Sequence, residues 1–280
     1  MSIRDRDDEE YGYYFYDINA KINHKFSDRS RIYLSVYNGK DHFAANYDGD
    51  TDSKDGSTMN WGNTIVSARW NYIFNNRLFS NTTVSYNNYL FDVNSYNNNK
   101  YANSMGASII NRYSADYRSG INDWSYQIDF DYNPSPIHHI KFGTGYIYHR
   151  FRPEVMTSKI SEKTGDKVDR DTTYHSIANS RIYGHELSAY LEDNIKVNDR
   201  LRLNLGLHFS LFQVQKQSYS SLQPRVSARY QLGKDVTLKA SYTQMSQYVH
   251  LLSSMPIAMP TDLWVCLLYT SPSPRDGLLS

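Results

Sequence analysis

Apolar and polar residues alternate along stretch after stretch of this chain, and a period of two is the spacing of a strand. In residues 124–132, Trp124, Tyr126, Ile128, Phe130 and Tyr132 alternate with Ser125, Gln127, Asp129 and Asp131. In residues 201–209, Leu201, Leu203, Leu205, Leu207 and Phe209 alternate with Arg202, Asn204, Gly206 and His208. Successive strand side chains point to opposite faces, so each segment has one apolar and one polar face.

The pattern predicts strands over residues 13–23, 31–37, 61–74, 78–89, 124–132, 139–151, 183–195, 201–211, 223–232 and 236–243, about ten in five hairpins. Within each hairpin the connection is short: residues 24–30, Asn75-Asn76-Arg77, Asn133-Pro134-Ser135-Pro136, Val197-Asn198-Asp199-Arg200 and Gly233-Lys234-Asp235. Asn tolerates the left-handed backbone that such turns need. Between hairpins the connections are longer and polar: residues 38–60, 90–122, 152–181 and the medium 212–221, with a short extra hairpin near 109–117. A soluble sandwich or propeller has no reason to sort loop lengths this way. A transmembrane β-barrel does, with short turns on the periplasmic side and long loops outside. The predicted fold class is therefore all-β, an antiparallel transmembrane β-barrel, partial at about ten strands. Aromatics fit that layout. Trp70, Tyr72, Tyr132, Tyr146, Tyr148, Phe209 and Tyr242 sit near strand ends, with Val66, Ala68, Ile128, Leu205 and Ala240 between.

Composition narrows the alternatives. Mean hydropathy is −0.66, and no apolar run reaches the roughly eighteen residues of a spanning helix. The lumen face and loops of a barrel dilute hydrophobicity, so barrels stay open. The chain has 26 Tyr, 11 Phe and 4 Trp, which suits rings placed at a membrane–water boundary. Tyr also favours strands in general. A net charge of +1 shows no nucleic-acid footprint. The single Cys266 provides neither a disulfide framework nor a cysteine metal site.

The ends read differently from the middle. Residues 1–12 open with Arg4, Asp5, Arg6, Asp7, Asp8, Glu9 and Glu10, a charged loop without the apolar core of a signal peptide. An outer-membrane barrel needs such a signal, so the expectation is an internal piece of a longer protein. Residues 266–280 lose the alternation, carry Pro272 and Pro274, and read as a translated adapter, a non-native tail. The barrel segment is then 13–265.

Three stretches resemble the barrel domain of TonB-dependent outer-membrane receptors. They are Ser221-Leu222-Gln223-Pro224-Arg225-Val226-Ser227-Ala228-Arg229-Tyr230, Leu238-Lys239-Ala240-Ser241-Tyr242-Thr243-Gln244-Met245 and Pro260-Thr261-Asp262-Leu263-Trp264-Val265. The runs Phe15-Tyr16-Asp17-Ile18-Asn19-Ala20-Lys21-Ile22-Asn23 and Ala189-Tyr190-Leu191-Glu192-Asp193-Asn194 look like strands of the same family. The resemblance implies a barrel of twenty-two strands with a plugged lumen, of which this chain would supply under half. It implies uptake of a scarce solute, energised through TonB, in a Gram-negative outer membrane. The implied partners are outer-membrane lipid, a plug domain of the same parent chain, TonB and an unidentified solute. Two alternatives stay open: a passive porin-type barrel, separated by the absence of a plug, and a soluble all-β carbohydrate-binding module, separated by independence from detergent.

Chemistry-bearing motifs are sparse. Asp48-Gly49-Asp50-Thr51-Asp52 places carboxylates at alternate positions, but Ser53 and Met59 stand where a calcium loop needs Gly and Glu, so it reads as a solvated acidic loop. His138 and His139 are adjacent, cannot share a metal from one strand face, and read as turn residues. His149 and His208 fall on polar faces of separate strands. No nucleophile elbow, phosphate loop or zinc-protease motif is present, so no catalytic residue, cofactor or metal ligand is assigned. In the lumen Arg202, Asn204, Arg225, Ser227, Arg229, Lys239 and Ser241 form a mostly basic wall. It reads as hydrated and balanced by Asp129, Asp131 and Glu192, with contact to the plug or to an anionic ligand as the other reading.

Overall fold

In a computed structural model of the protein, the described residues are 2–4, 9–49, 53–102, 104, 106–165, 167–175, 181–254 and 261–266. The strands are β1 (Ser2–Arg4), β2 (Glu9–Ser27), β3 (Ser30–Gly49), β4 (Ser53–Asn75), β5 (Leu78–Ala102), β6 (Ser108–Tyr132), β7 (His138–Thr164), β8 (Lys167–His175), β9 (Ile182–Lys196), β10 (Leu201–Val214), β11 (Gln217–Gln231), β12 (Thr237–Thr243), β13 (Val249–Ser254) and β14 (Thr261–Cys266). The first twelve form one antiparallel sheet in the order β1-β2-β3-β4-β5-β6-β7-β9-β10-β11-β12, with β8 paired to the far half of β7. β13 and β14 form a separate two-stranded sheet. Among the described residues the main sheet does not close on itself, since no register joins β12 to β2.

The ten predicted strands correspond to β2–β7 and β9–β12. Their turns have local causes. Asn75 Oδ1 accepts from the backbone N–H of Arg77 (2.8 Å) and Leu78 (3.0 Å), and Asn198 Oδ1 accepts from those of Arg200 (2.9 Å) and Leu201 (2.8 Å). These side chains satisfy turn donors that no strand can reach.

The long polar loops are corrected to strand. Among the described residues, 38–60, 90–122 and 152–181 continue β3 to β9 instead of leaving the sheet, except for Ser104, Gly106, Ala107, Gly165 and Arg181. β7 runs 27 residues, roughly 90 Å at the usual rise, while a membrane-spanning strand needs about ten. Backbone pairing continues because nothing in these stretches forbids it: they are rich in Asn, Ser and Tyr, with Pro153 the lone proline. The extra hairpin near 109–117 is the unbroken start of β6. The medium loop at 212–221 is a two-residue turn, Gln215-Lys216, closed by the Val214–Gln217 pair with Gln215 at φ 53°. His138 and His139 are not turn residues but open β7. Residues 1–12, expected as a charged loop, include β1 and the start of β2, paired from Ser2–Gly12 to Arg4–Glu10. Cys266 ends β14 opposite Val249, and the rest of 266–280 lies outside the described residues.

One face of the sheet is apolar and uncovered. Ile18, Ile22, Leu34, Val36, Val66, Val84, Leu187, Leu191, Leu205, Leu207, Leu222 and Val226 are all exposed there. Register aligns them across strands: Ile22, Leu34, Ala68, Val84, Tyr126, Tyr146 and Leu187 stand in one row. The other face is polar. An apolar cluster on it lies where the strands leave the turn half: Ile121, Phe151, Phe212, Val214 and Tyr248, flanked by Tyr89, Ile182 and Tyr219. Tyr248 belongs to the segment after β12, which folds back over this face. Its ring stacks on Phe212 at 5.3 Å, and its hydroxyl is 2.7 Å from Ser210 Oγ. Gly184 lets Phe212 and Phe151 meet above it, since a Cβ there would stand 3.2 and 3.4 Å from the two rings.

Candidate functional site

The polar face holds the groups that could act on a solute or a partner. Strand parity puts all seven predicted wall residues on it: Arg202, Asn204, Arg225, Ser227, Arg229, Lys239 and Ser241. Asp129, Asp131 and Glu192 share the face. The expected balance of charge is incomplete. Asn204 donates to Glu192 Oε1 at 2.7 Å and to Asn194 Oδ1 at 2.9 Å. Asp129 accepts from Tyr190 at 2.7 Å, and His139 Nε2 lies 2.7 Å from Asp131. The acids are thus held by neutral donors and one histidine. Among the described residues no ion pair reaches Arg202, Arg225, Arg229 or Lys239. Arg225 Nε is buried without a hydrogen-bond partner.

The Tyr190 contact depends on a glycine. Tyr190 stands opposite Gly143, and Asp129 stands opposite Gly143 on the other side. The tyrosine ring crosses the glycine to reach the carboxylate. A Cβ at Gly143 would come within 2.6 Å of Ile128 O, 2.8 Å of the ring and 2.9 Å of the carboxylate oxygen.

Under the apolar cluster lies a buried histidine. His149 Nδ1 is 2.9 Å from Asp123 Oδ1, and its Nε2 is 3.6 Å from Glu186 Oε2. His208, between Tyr190 and Gln223 in the register, does not join it. His138 and His139 point to opposite faces; His138 Nδ1 lies 2.6 Å from Asp193 Oδ2 on the apolar side. The acidic stretch from Asp48 is partly outside the described residues, and Asp48 itself accepts from Lys54 Nζ at 3.0 Å. Among the described residues no group of three or more His, Cys, Asp or Glu is arranged to hold a metal.

Beyond the cluster, the extended strands carry an aromatic lining on the same face. Tyr13 packs with Phe15 (5.9 Å between centroids) and Trp61 (6.4 Å), and Phe91 with Tyr117 (6.1 Å). Phe91 and Val93 are buried. Tyr13 donates to Asp41 at 2.6 Å. The sequence reading missed this lining because it placed 38–60 and 90–122 in loops. The available signal was phase: Phe43, Trp61, Phe91 and Val93 hold the odd positions that carry polar residues nearer the turns.

An open antiparallel sheet with one uncovered apolar face, one polar face and tight turns at one end is the wall of a β-barrel. The family comparison makes this specific. The TonB dependent receptor-like β-barrel model matches residues 2–248, and the chain belongs to that family. Solved structures give further likenesses. FpvA of P. aeruginosa bound to heterologous pyoverdines is 10% identical, with 88% of this chain and 42% of that chain covered and a TM-score of 0.44. BauA, the ferric preacinetobactin receptor from Acinetobacter baumannii, is 8% identical over 91% of this chain and 49% of that chain, also at 0.44. The siderophore receptor PirA from Acinetobacter baumannii is 12% identical over 82% and 43%, at 0.36. The chain thus spans under half the length of these proteins. Comparison with curated proteins gives no match.

Proposed function

We propose that this chain forms part of the wall of a receptor barrel in a Gram-negative outer membrane, and that the whole protein takes up a scarce solute energised through TonB. The observation that carries the reading is the division of faces: in the turn half, aliphatic and aromatic residues predominate on one face across ten strands, with the His138–Asp193 pair among the few polar groups there, while the acids, amides and cations crowd the other. Lipid is the solvent that such an apolar face suits. In this reading residues 13–265 are wall, residues 266–280 contribute nothing to it, and a plug domain of the same parent chain fills the lumen. The aromatic lining around Tyr13, Trp61 and Phe91 receives the solute at the outer mouth. The chain's role is binding and passage; the family is one of receptors, not enzymes.

The test uses the full-length protein. It should fractionate with the outer membrane and shift in apparent mass when heated in detergent. Vesicles containing it should not swell in a neutral sugar, because a plug closes the lumen. A cysteine replacing Thr164 should react with an impermeant reagent on intact cells, and one replacing Asn76 should not. Swelling would demote the reading to a passive porin. Reversed labelling would invert the wall.

A further inference from the structure

Four cations stand side by side across the last four strands of the main sheet, β9–β12, at their turn end. Lys196 on β9 is directly opposite Arg202 on β10, Arg202 is opposite Arg229 on β11, and Arg229 is opposite Lys239 on β12. All four are exposed and on the polar face. Neighbouring strands lie about 4.8 Å apart, so the ladder is roughly 14 Å wide. Like charges directly opposite one another destabilise a sheet. The same face shows the usual remedy two steps away. Asp131, Lys141 and Glu192 alternate in sign along one row, which reaches Arg225 across Gly206.

The ladder lacks such interleaved acids. Among the described residues its one ion pair is between Lys196 Nζ and Asp199 in the β9–β10 turn, at 2.8 Å. Lys196 holds that carboxyl below the usual range, with a smaller contribution from Arg202. One exposed acid thus serves one end. Next to the cations runs a row of neutral groups, Asn194, Asn204, Ser227 and Ser241, and a cavity of about 330 Å³ lies over both rows.

We propose that this ladder binds an extended acidic segment of the same polypeptide, laid across β9–β12 inside the lumen. The proposal rests on the barrel reading, in which this face is shielded from both lipid and the outside. The spacing supports the chemistry. Alternate side chains of an extended peptide recur every 6.6–6.8 Å or so, so three carboxylates span about 13 Å and match the width of the ladder. Arg202 and Arg229 can each take a carboxylate through two parallel hydrogen bonds, which a lone solvated cation does not require. A single small anion would engage only one or two steps and leave the others opposed.

The test places a photo-activatable phenylalanine derivative at Ser241 in the full-length protein, in outer-membrane vesicles, and maps the cross-linked peptide by mass spectrometry. The expected product is an intramolecular cross-link to a stretch with Asp or Glu at alternate positions. Its yield should fall as salt rises. Arg229→Glu with Lys239→Glu should lower the yield about tenfold, while Arg229→Lys with Lys239→Arg should keep it near wild type. Heat-shifted mobility shows that each variant has folded, and the wild-type cross-link decides the matter if one does not. A cross-link to a neutral or basic stretch, a cross-link to another protein, or none at all overturns the proposal. A protein absent from the outer membrane would instead overturn the barrel reading, which the cross-link alone cannot do.

Discussion

Substituting Leu207 with Arg measures which face meets lipid. Leu207 is 48% exposed on the apolar face of β10, between Leu191 and Pro224. It lies six residues from Leu201, where β10 begins, or roughly 14 Å of depth for a strand tilted by about 45°. That is near the middle of an apolar band about 25 Å tall, where Arg costs about 2–4 kcal/mol. Asp193, diagonal to it, is already engaged by His138, so relief from that side is small. Asn204→Arg is the control on the other face. It removes two hydrogen bonds, to Glu192 and Asn194, each worth about 1 kcal/mol net, and the new cation regains part of that from Glu192. On central values, about 3 kcal/mol against about 1–2, Leu207→Arg should therefore cost about 1–2 kcal/mol more than Asn204→Arg. Guanidinium unfolding of the full-length protein in phosphatidylcholine vesicles, followed by tryptophan fluorescence, gives both values. Equal costs, or a larger cost at Asn204, would refute the assignment of faces, because a slip of one residue exchanges them.

Phe212→Ala should lower stability by about 3–5 kcal/mol in the same assay, since Phe212 is fully buried against Phe151 and Tyr248. A cost below 1 kcal/mol or so would mean that the cluster does not hold the segment after β12 in place. Gly143→Ala should cost about 1–3 kcal/mol by displacing the Tyr190 ring from Asp129, whereas Gly233→Ala, with open space around it, should be near neutral. The Asp199 carboxyl is lowered by Lys196, so its contribution to stability is complete above the ordinary aspartate value and fades as pH falls through its own lower value. Lys196→Met should return the Asp199 titration, read by NMR, toward the ordinary value; an unchanged midpoint would place the cause elsewhere.

Strands were legible where one face met an apolar medium and the other did not. Ile18, Ala20 and Ile22, or Leu203, Leu205 and Leu207, betray their parity because lipid and lumen demand opposite side chains. Past the turn half that contrast ends. Tyr96, Asn97, Asn98 and Asn99 are polar on both faces, and the sequence offers no period to detect, yet backbone pairing continues from Asn94–Asp116 to Ala102–Ser108. The apolar cluster was hidden for a related reason. Along β10 the leucines hold odd positions as far as Leu211, and then Phe212 and Val214 take even ones. A change of phase reads as the end of a strand, but here it marks where the apolar side chains cross to the other face, with exposed Gln213 left opposite them. The turn at Gln215 lacks the glycine or asparagine that usually announces a left-handed residue. Of the polar face, the membership of the basic wall was legible from parity alone. Its lack of counter-charges was not, because that depends on which strands are neighbours.

The same faces predict how residues 1–280 behave when made alone. β12 pairs only with β11, and β2 pairs on its outer side only with β1 through Glu10–Gly12, so the outer edge of each is otherwise unpaired among the described residues. In hydrocarbon such an edge leaves peptide groups unsatisfied, and in water it templates further pairing. Leu191, Leu222, Val236 and Leu238 are each more than half exposed, with nothing among the described residues covering them. Leu203, on the same face of β10, is half-buried. The isolated chain should therefore aggregate when diluted from denaturant into buffer, and should stay dispersed only in detergent. Size-exclusion chromatography with light scattering, together with a thermal melt, decides between the outcomes. A cooperative melt from a detergent-free monomer would mean that the apolar face is covered in water. A soluble β-module would then replace the membrane wall.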